Sequence, residues 1–269
     1  MSLRSYGWIP DLPDQRDLLY AAPPSVLTAL PTMVDLRPKC PPVYDQGQLG
    51  SCTANAIGGA FEFEQMKQAL APFTPSRLFI YYNERVIEHS IDSDSGAQLR
   101  DGMKVVSKLG APPETDWPYD IERFADRPPA VAFQDAARHQ VLAYHRVSRI
   151  LNQFKGCLAA GFAFVFGFTV YAGFESAAVA HSGHASMPQP GEPAVGGHAV
   201  VAVGYDDAHR QFIARNSWGS GWGMHGYFTI PYEYLMEPNL SDDFWTIQIV
   251  EAPAARPRKP RASARRRKR

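Results

Sequence analysis

The segment that most restricts the fold follows Ser51, because it is apolar on two sides when it is wound as a helix. Small and apolar residues recur at helical spacing on two faces: Ala54, Ile57 and Phe61, and Ala56, Ala60 and Phe63. A helix of this kind is usually covered on both sides by other elements. Ser51 is a suitable N-cap, so Cys52 falls in the first turn. The sequence therefore predicts a central helix with a cysteine at its N-terminus.

Two further helices are expected in the first half of the chain. The segment TPSRLFIYYNERV offers Thr74 as a cap and Pro75 at the first helical position. The segment GAQLRDGMKVVSKLG has an apolar stripe at helical spacing and ends at Gly110, shortly before two prolines. The first half is thus expected to be mainly helical.

The second half changes to short runs with strand character. After a helix at about 148–160, five segments rich in β-branched and aromatic residues are separated by turns: FAFVFGFTVY, HAVVAVGYDD, RQFIARNSW, GYFTIPYEY and FWTIQIVEA. We therefore expect an α+β fold with one domain at 31–250, divided into a helical lobe at about 31–140 and a strand-rich lobe at about 141–250. A cleft between two lobes is a common place for a substrate.

The two ends of the chain differ from the part between them. Residues 1–30 are proline-rich and lack a clear period, so we expect an arm that runs over the surface of the domain. Nine of the 27 Lys and Arg residues lie in 252–269, which holds no acid, so the rest of the chain has 18 basic and 27 acidic side chains. The segment 251–269 is expected to be disordered. It either binds an anionic partner, such as nucleic acid or a membrane surface, or serves as a solubilising extension.

Targeting signals and cysteine usage bear on the compartment. The N-terminus lacks the apolar h-region of a conventional signal peptide, and Cys40, Cys52 and Cys157 fit neither a disulfide framework nor a zinc cluster. We expect a reducing environment, with the protein cytoplasmic or exported by another route. The uncharged run at 156–174 just reaches the length of a membrane span. Its glycines and aromatic second half favour a helix end followed by a buried strand, so no transmembrane segment is expected.

Cys52 is the strongest candidate for a reactive group. The free N–H groups at the start of a helix would lower the pKa of its thiol, and an imidazolium partner would lower it further. Among the eight histidines, His198 opens the apolar segment HAVVAVGYDD, where a sheet would fix its ring. Asn216 follows the next strand segment, so hairpin pairing can bring it beside His198 to orient the imidazole. Taken alone, an isolated cysteine is more often a small buried hydrophobe.

Three motifs, DQGQLGSC, GGHAVVAVGYDD and NSWGSGWGMHGYFTI, occur in this order and resemble the papain-like cysteine peptidases. His198 and Asn216 follow Cys52 by 146 and 164 residues, close to or slightly beyond the family interval of about 130 to 150. The resemblance implies a two-lobe papain-like fold and hydrolysis of protein or peptide substrates through a Cys52, His198 and Asn216 triad. It also implies an oxyanion hole formed by Gln46 and the backbone of Cys52, a resting thiolate–imidazolium pair, and no metal or organic cofactor.

The resemblance further implies residues that support the site. Trp218 matches the tryptophan that shields the hydrogen bond between asparagine and histidine. Gly50, Gly96 and Gly197 would leave room for an extended peptide to approach the backbone. These four positions complete the expected cleft.

Two positions depart from the family pattern. The usual cysteine three residues before the nucleophile is replaced by Leu49, and its disulfide partner is missing near Asp94. Both halves of the bond are absent together, which suits a reducing environment. The aromatic residue that usually follows the nucleophile is Thr53. We expect different packing beside Cys52 for this reason.

Other interpretations of these features stay open at the level of sequence. A protein of this fold could bind peptides or act as a scaffold without catalysis, or pass the acyl group to an acceptor other than water. The arm, with Trp8, Ile9 and Leu12 as apolar anchors, either lies across the cleft or packs permanently on a lobe. His181 and His184 have the spacing of metal ligands, but their surroundings favour a loop.

Overall fold

The structure is a computed structural model that describes residues 5–252. The first four residues of the arm and the basic tail from residue 253 onward lie outside the described residues. The predicted disorder of that tail and its predicted anionic partner therefore stay predictions. The helices of the described part are α1 (Pro24–Leu27), α2 (Cys52–Lys67), α3 (Arg77–Ile87), α4 (Leu99–Lys108), α5 (Ala130–Ala136), α6 (Leu151–Ala159), α7 (Ala177–Ser182) and α8 (Tyr232–Met236).

An eight-stranded sheet forms the other layer of the fold. Its strands are β1 (Leu19–Tyr20), β2 (Met33–Asp35), β3 (Val141–Val147), β4 (Phe164–Tyr171), β5 (Ala194–Asp206), β6 (Gln211–Arg215), β7 (Tyr227–Pro231) and β8 (Ser241–Val250). Seven of them follow the order β1-β3-β8-β4-β5-β6-β7, and β2 pairs with β5. All pairs are antiparallel except β1 with β3. The α+β papain-like fold expected from the sequence is confirmed.

The central helix predicted from the sequence is α2. Every residue from Cys52 to Gln65 is buried, because the helix packs on β5 and β8 on one side and on α3 and α4 on another. Ser51 occupies the N-cap position, but its side chain does not cap the helix. Its hydroxyl lies 2.5 Å from the Tyr119 hydroxyl instead.

The start of the second helix differs from the prediction. The helix α3 begins at Arg77 rather than Pro75, and Ser76 is its cap, with Oγ accepting a hydrogen bond from the Phe79 N–H at 3.2 Å. Pro75 forms an isolated β-bridge with Pro113 and is therefore held in extended backbone. The end of α4 agrees with the prediction, since Gly110 follows it with a φ of +83°.

The strand predictions for the second half hold, with two corrections. The segment GYFTIPYEY is a strand only as far as Pro231, after which residues from Tyr232 onward form α8. Proline has no N–H for the ladder and is suited to the position before a helix. The strand β3 was not predicted, because its pattern of buried and exposed residues does not alternate clearly.

The uncharged run at 156–174 is divided between two elements. The helix α6 ends at Ala159 and β4 begins at Phe164, so the expected helix end and buried strand are confirmed. Within residues 5–252, no helix has both the length and the apolar character needed to cross a membrane. Cys157 is fully buried in α6, on the same helix as Phe154, whose ring stacks on Phe164 with centroids 5.2 Å apart. It is a core residue, as predicted.

Candidate active site

Cys52 is the first residue of α2 and is fully buried. Burial raises the pKa of its thiol to about 12, because desolvation disfavours the thiolate. Hydrogen bonds from the backbone N–H groups of Ala199 and Gly7 act in the opposite direction but do not overcome it. Burial under the arm therefore disfavours the resting thiolate that the sequence predicts, and the thiolate–imidazolium pair stays a prediction. Gly7 belongs to the arm, so the sulfur is buried in part by the chain's own N-terminal segment.

His198 and Asn216 are brought together by a hairpin, as the sequence predicted. His198 lies in β5 opposite Phe168 of β4, and Asn216 follows β6, which pairs with β5. His198 Nε2 lies 2.8 Å from Asn216 Oδ1, which also accepts from the Ser217 N–H at 2.8 Å. Because an amide oxygen can only accept, Nε2 carries a proton, and Nδ1 is the basic nitrogen of the neutral ring.

The helix that carries Cys52 packs on β5, the strand that carries His198. The backbone N–H of Ala199, the residue after His198, is hydrogen-bonded to the sulfur of Cys52. Both side chains are fully buried. The first residue of α2 and the strand that carries His198 are thus neighbours, although Cys52 and His198 are 146 positions apart in sequence.

Trp218 covers the contact between His198 and Asn216. Its ring stacks on the imidazole with centroids 4.8 Å apart and an interplanar angle of 22°. The ring is buried and is itself packed against Phe174 and Trp222. A hydrogen bond shielded in this way is less exposed to competition from water.

Gln46 is fully buried, and both polar atoms of its side-chain amide are hydrogen-bonded. Its Oε1 accepts from the Ser217 hydroxyl at 2.6 Å, and its Nε2 donates to the Leu49 carbonyl at 3.0 Å. The same Nε2 lies 3.3 Å from the carbonyl oxygen of Ser5 in the arm. The amide is therefore oriented toward a carbonyl that reaches the cleft from outside the domain.

The three glycines predicted to line the cleft are in close contact with the arm. A Cβ on Gly96 would lie 2.3 Å from the Gly7 oxygen, and one on Gly197 would lie 2.4 Å from the Trp8 oxygen. Conversely, a Cβ on Gly7 would lie 1.6 Å from the Gly50 oxygen. A main chain passes through this space with no room for side chains on either wall.

The arm lies in the cleft as an extended segment that is hydrogen-bonded to both walls. The Trp8 N–H donates to the Gly197 carbonyl at 2.9 Å on one side. On the other side, the Ile9 N–H donates to the Ala97 carbonyl at 3.0 Å, and the Ala97 N–H donates to the Gly7 carbonyl at 2.7 Å. Main-chain pairing of this kind is how an added strand is recognised at an open edge. The hypothesis that the arm lies across the cleft agrees with this path.

Of the three residues predicted to anchor the arm, only Trp8 is buried. Trp8 is 8% exposed, whereas Ile9 is 37% and Leu12 is 76% exposed. The Trp8 ring occupies the space where a Cβ on Gly167 would lie 1.9 Å away, and its Nε1 donates to Asp243 at 3.0 Å. Extended backbone turns the side chain of Ile9 away from the one before it. The anchoring predicted for Ile9 and Leu12 is therefore wrong.

A buried carboxylate pair holds the arm just after Trp8. The Asp11 N–H donates to Asp243 at 2.8 Å, and the Asp11 carboxylate accepts from the Arg100 N–H and from Trp245 Nε1, both at 3.1 Å. Arg146 lies 3.5 Å from Asp11 and 3.1 Å from Asp243. Burial, and then repulsion by Asp243, raises the pKa of Asp11 to about 7.

Several residues that shape the site were missed by sequence reasoning. Asp243 and Asp11 lie outside the motifs, and no spacing marks them. Thr53, which departs from the family pattern, donates from its hydroxyl to Glu84 at 2.9 Å in the core. Asp94 accepts hydrogen bonds from the Gly50 N–H and the Tyr81 hydroxyl. Asp94 stands two residues before Gly96, near the missing cysteine of the family pattern, which was the one hint available in the sequence.

The histidine pair near residue 183 is separate from this site. His184 Nδ1 lies 2.9 Å from Thr229 Oγ1, and His181 is in the last turn of α7. In the part of the chain that the structure describes, no three His, Cys, Asp or Glu side chains are grouped so as to hold a metal ion.

Comparisons with known proteins agree with this arrangement. Residues 30–239 match the model of the papain family of cysteine proteases. The crystal structure of xylellain, a cysteine protease from Xylella fastidiosa, is 44% identical in sequence and superposes with a TM-score of 0.86, covering 92% of this chain and 98% of its own. Digestive procathepsin L 3 of the Tenebrio molitor larval midgut shares the fold at 19% identity, with a TM-score of 0.65 over 88% of this chain and 74% of its own.

A curated relative extends the similarity along nearly the whole chain. An uncharacterized peptidase C1-like protein of Acanthamoeba polyphaga mimivirus is 41% identical over 275 residues, which cover 93% of this chain and 88% of the relative. The family match spans Gln46, Cys52, His198, Asn216 and Trp218. On these grounds, the chain belongs to the papain family of cysteine proteases.

Proposed function

We propose that this cysteine peptidase cleaves internal peptide bonds through a thioester on Cys52, with His198 as acid and base and Asn216 orienting the imidazole. One arrangement carries the proposal. His198 Nε2 is 2.8 Å from Asn216 Oδ1, and the residue after His198 donates its N–H to the Cys52 sulfur. These contacts support an oriented imidazole that acts on the thiol at the start of α2.

The reaction proceeds in two halves. The Cys52 thiolate attacks the carbonyl carbon of the substrate, the C–N bond breaks, and the His198 imidazolium gives its proton to the leaving amine. Water then gives a proton to His198 while its oxygen attacks the thioester carbon, and the C–S bond breaks, which releases the carboxylic acid and restores the Cys52 thiolate and the His198 imidazolium. The hydrogen bond from Nε2 to Asn216 keeps the ring in the tautomer that leaves Nδ1 as the basic nitrogen.

Two donors support the oxyanion of each tetrahedral intermediate. The Cys52 N–H is at the first turn of α2, where the N–H groups have no partner within the helix. Gln46 Nε2 already lies 3.3 Å from a carbonyl oxygen of the arm, so a substrate carbonyl could reach the same amide. Removal of one such donor typically costs about 3 kcal/mol of barrier.

We also propose that the arm inhibits the enzyme by occupying the cleft. Its backbone bonds Gly197 and Ala97, its Ser5 carbonyl faces Gln46, and its Gly7 N–H reaches the sulfur of Cys52. A substrate backbone would need the same space. Displacement of the arm would also hydrate Cys52, which removes the main reason for its raised pKa and favours the thiolate.

The test compares Trp8→Ala with Leu12→Ala in the full-length protein. Trp8 is buried beside Asp243, whereas Leu12 is 76% exposed in the same segment. Loss of a buried Trp side chain is worth about 3 kcal/mol, or roughly a 100-fold shift in arm occupancy. We expect Trp8→Ala to hydrolyse a fluorogenic peptide, blocked at both ends, at least tenfold faster than the unchanged protein. Leu12→Ala should match the unchanged protein.

The outcomes separate the parts of the proposal. Equal hydrolysis by all three proteins would refute inhibition by the arm and leave the peptidase standing. Absence of both hydrolysis and Cys52 labelling in Trp8→Ala would favour the noncatalytic scaffold. Mass spectrometry of the products in the presence of a primary amine distinguishes hydrolysis from acyl transfer, because transfer yields the amide in place of the free acid.

A further inference from the structure

Asp94 lies in the loop between α3 and α4 and connects two parts of the cleft. Its carboxylate accepts from the Gly50 N–H, with both oxygens 3.0 Å from the nitrogen. It also accepts from the Tyr81 hydroxyl at 2.5 Å. In the arm-filled cleft, the Ser5 hydroxyl adds a longer contact at 3.3 Å. A charged acceptor makes each of these hydrogen bonds stronger than a neutral pair.

The loop that carries Asp94 is fixed by two side chains one turn apart on α3. The buried guanidinium of Arg85 donates to the carbonyls of Ile91 and Ser93 at 2.8 and 3.1 Å, and it lies 4.1 Å above the Tyr81 ring. The Tyr81 hydroxyl, in turn, accepts from the Gly96 N–H at 3.1 Å. Asp94 is therefore held in place by α3, although it is itself exposed.

The hydrogen bonds of Asp94 to Gly50 and, through Tyr81, to Gly96 form a connection between two loops that contact the peptide. On one side, Gly50 precedes the N-cap of α2, and the carbonyl before it accepts from Gln46 Nε2. On the other side, Gly96 precedes Ala97, whose N–H and C=O pair with the arm. A Cβ on Gly50 would lie 2.9 Å from Asp94 Oδ1, so the carboxylate packs closely against this glycine. One side chain thus sets the distance between the oxyanion loop and the wall that pairs with the peptide backbone.

We propose that Asp94 is a positioning residue that replaces, without a covalent bond, the disulfide absent from this chain. In the papain-family pattern, a disulfide joins cysteines at the position of Leu49 and near that of Asp94, and both cysteines are absent from this chain. Leu49 is buried instead, and Asp94 joins the same two loops by bonding the N–H of the next residue, Gly50. The proposal rests on the proposed function, because the loops matter only if they hold a reacting peptide.

The two contacts of Asp94 should have different kinetic effects. Loss of the bond to Gly50 loosens the loop that orients Gln46, which acts on the oxyanion and therefore on kcat. Loss of the Tyr81 hydroxyl leaves the Gly50 bond in place but frees Gly96, which loosens backbone pairing with the substrate and therefore raises KM. The thiol and imidazole are not part of this connection.

The experiment uses the full chain with Trp8→Ala as the parent. Asp94→Ala is compared with Asp94→Asn, which keeps one acceptor, with Tyr81→Phe, and with Asp92→Ala as the matched control in the same exposed loop. We expect Asp94→Ala to lower kcat about 30-fold, Asp94→Asn to recover part of that loss, and Tyr81→Phe to raise KM about fivefold with kcat within twofold. Asp92→Ala should equal the parent. The rate of Cys52 alkylation by iodoacetamide should change less than twofold throughout.

A second measurement does not depend on activity. Hydrogen exchange of the Gly50 and Gly96 amides should accelerate at least tenfold in Asp94→Ala, with exchange in β4 and α6 unchanged. If the Gly50 and Gly96 amides exchanged as slowly in Asp94→Ala as in Asp92→Ala, the proposal that Asp94 joins the two loops would be refuted. A variant that loses alkylation in proportion to kcat, or that shows faster exchange throughout, would show a global effect and overturn the positioning role. A parent that hydrolyses no peptide would instead refute the proposed function, with the exchange result still deciding whether the connection exists.

Discussion

The two walls of the cleft are held by different kinds of interaction. The strand wall is defined by Gly197 and His198 of β5 and by Asn216 and Trp218, which follow β6, the strand paired with β5. The Trp218 ring stacks on the His198 imidazole. The helix wall, defined by Gln46, Gly50, Cys52 and Gly96, is carried by loops around the start of α2. Single polar side chains fix those loops, including the Gln46 amide, the Asp94 carboxylate and the Tyr81 hydroxyl.

This difference teaches where the site is sensitive. On the strand wall, the ladder sets the positions of Gly197 and His198 and of the strand end that Asn216 and Trp218 follow, so a single side chain can change with little movement of its neighbours. On the helix wall, a lost side-chain hydrogen bond also releases backbone that bonds the substrate. Substitutions on the strand wall should therefore act through chemistry alone, whereas those on the helix wall should act through geometry.

The largest effect is expected for His198, the catalytic base on the strand wall. His198→Ala removes the proton acceptor and donor, and kcat should fall by a factor of about 10³ or more in a Trp8→Ala background. His181→Ala, in the last turn of α7, is the control and should leave kcat unchanged. Steady-state hydrolysis of a blocked peptide measures both. Retention of more than a tenth of kcat in His198→Ala would assign the base to another group.

The next effect tests the helix wall. Gln46→Ala removes one oxyanion donor and the acceptor of the Ser217 hydroxyl, so kcat should fall about 100-fold with KM within threefold. The exposed Gln48 in the same loop provides the matched control, since Gln48→Ala should retain full kcat. A Gln46→Ala protein that changes only KM would place Gln46 in binding rather than in stabilisation of the oxyanion.

A smaller effect is expected for the residue that orients the base. Asn216→Ala removes the 2.8 Å contact to His198 Nε2, a hydrogen bond of about 1.5 to 3 kcal/mol when the ring is charged. The expected loss in kcat is therefore about 10- to 100-fold. Steady-state hydrolysis of the blocked peptide measures this loss, and the kcat of Asn216→Ala is compared with that of His198→Ala. A loss as large as that of His198→Ala would mean that the ring no longer reaches Cys52 at all.

The smallest effect concerns the arm between the two walls and depends on pH. Burial raises the pKa of Asp11 to about 7 and also raises that of Asp243, with Arg100 and Arg146 facing the pair. A raised pKa means that the arm-bound form holds its proton more strongly than the released form. Arm binding is therefore favoured below the pKa of the free carboxyl and weakened as pH rises through about 7.

The measurement is the ratio of hydrolysis by the unchanged protein to hydrolysis by Trp8→Ala, which cancels the pH dependence of the chemistry. This ratio should rise about tenfold between pH 5 and pH 8. Asp11→Asn, which cannot ionise, should flatten the curve. A ratio that falls with pH would show that the attraction of the ionised carboxylates to Arg100 and Arg146 outweighs the burial of Asp11.

Much of the catalytic arrangement could be predicted because it is encoded locally. The helix at Cys52 follows from its apolar periodicity, and the meeting of His198 and Asn216 follows from one hairpin. Gln46 precedes Cys52 by six residues, so its position depends on a short loop. The resemblance to a known family supplied the roles of these residues, and the structure supplies their distances.

The features that could not be predicted depend on contacts between residues that are distant in sequence. Trp8 and Asp243 are 235 positions apart, and Gly50 and Asp94 are 44 apart, so no local pattern connects them. The exposure of Leu12 could not be predicted either, because it depends on which surface the arm meets. The raised pKa of the Cys52 thiol has the same origin, since Gly7 of the arm lies against the sulfur.

The most direct test of the account is covalent labelling of Cys52 by an epoxysuccinyl inhibitor, followed by peptide mass spectrometry. The unchanged protein, Trp8→Ala and Trp8→Ala with His198→Ala are compared at neutral pH. The account predicts modification confined to Cys52, at least tenfold faster in Trp8→Ala than in the unchanged protein, and lost when His198 is replaced. Labelling of Cys40 in place of Cys52, or equal labelling of Cys52 without His198, would contradict it.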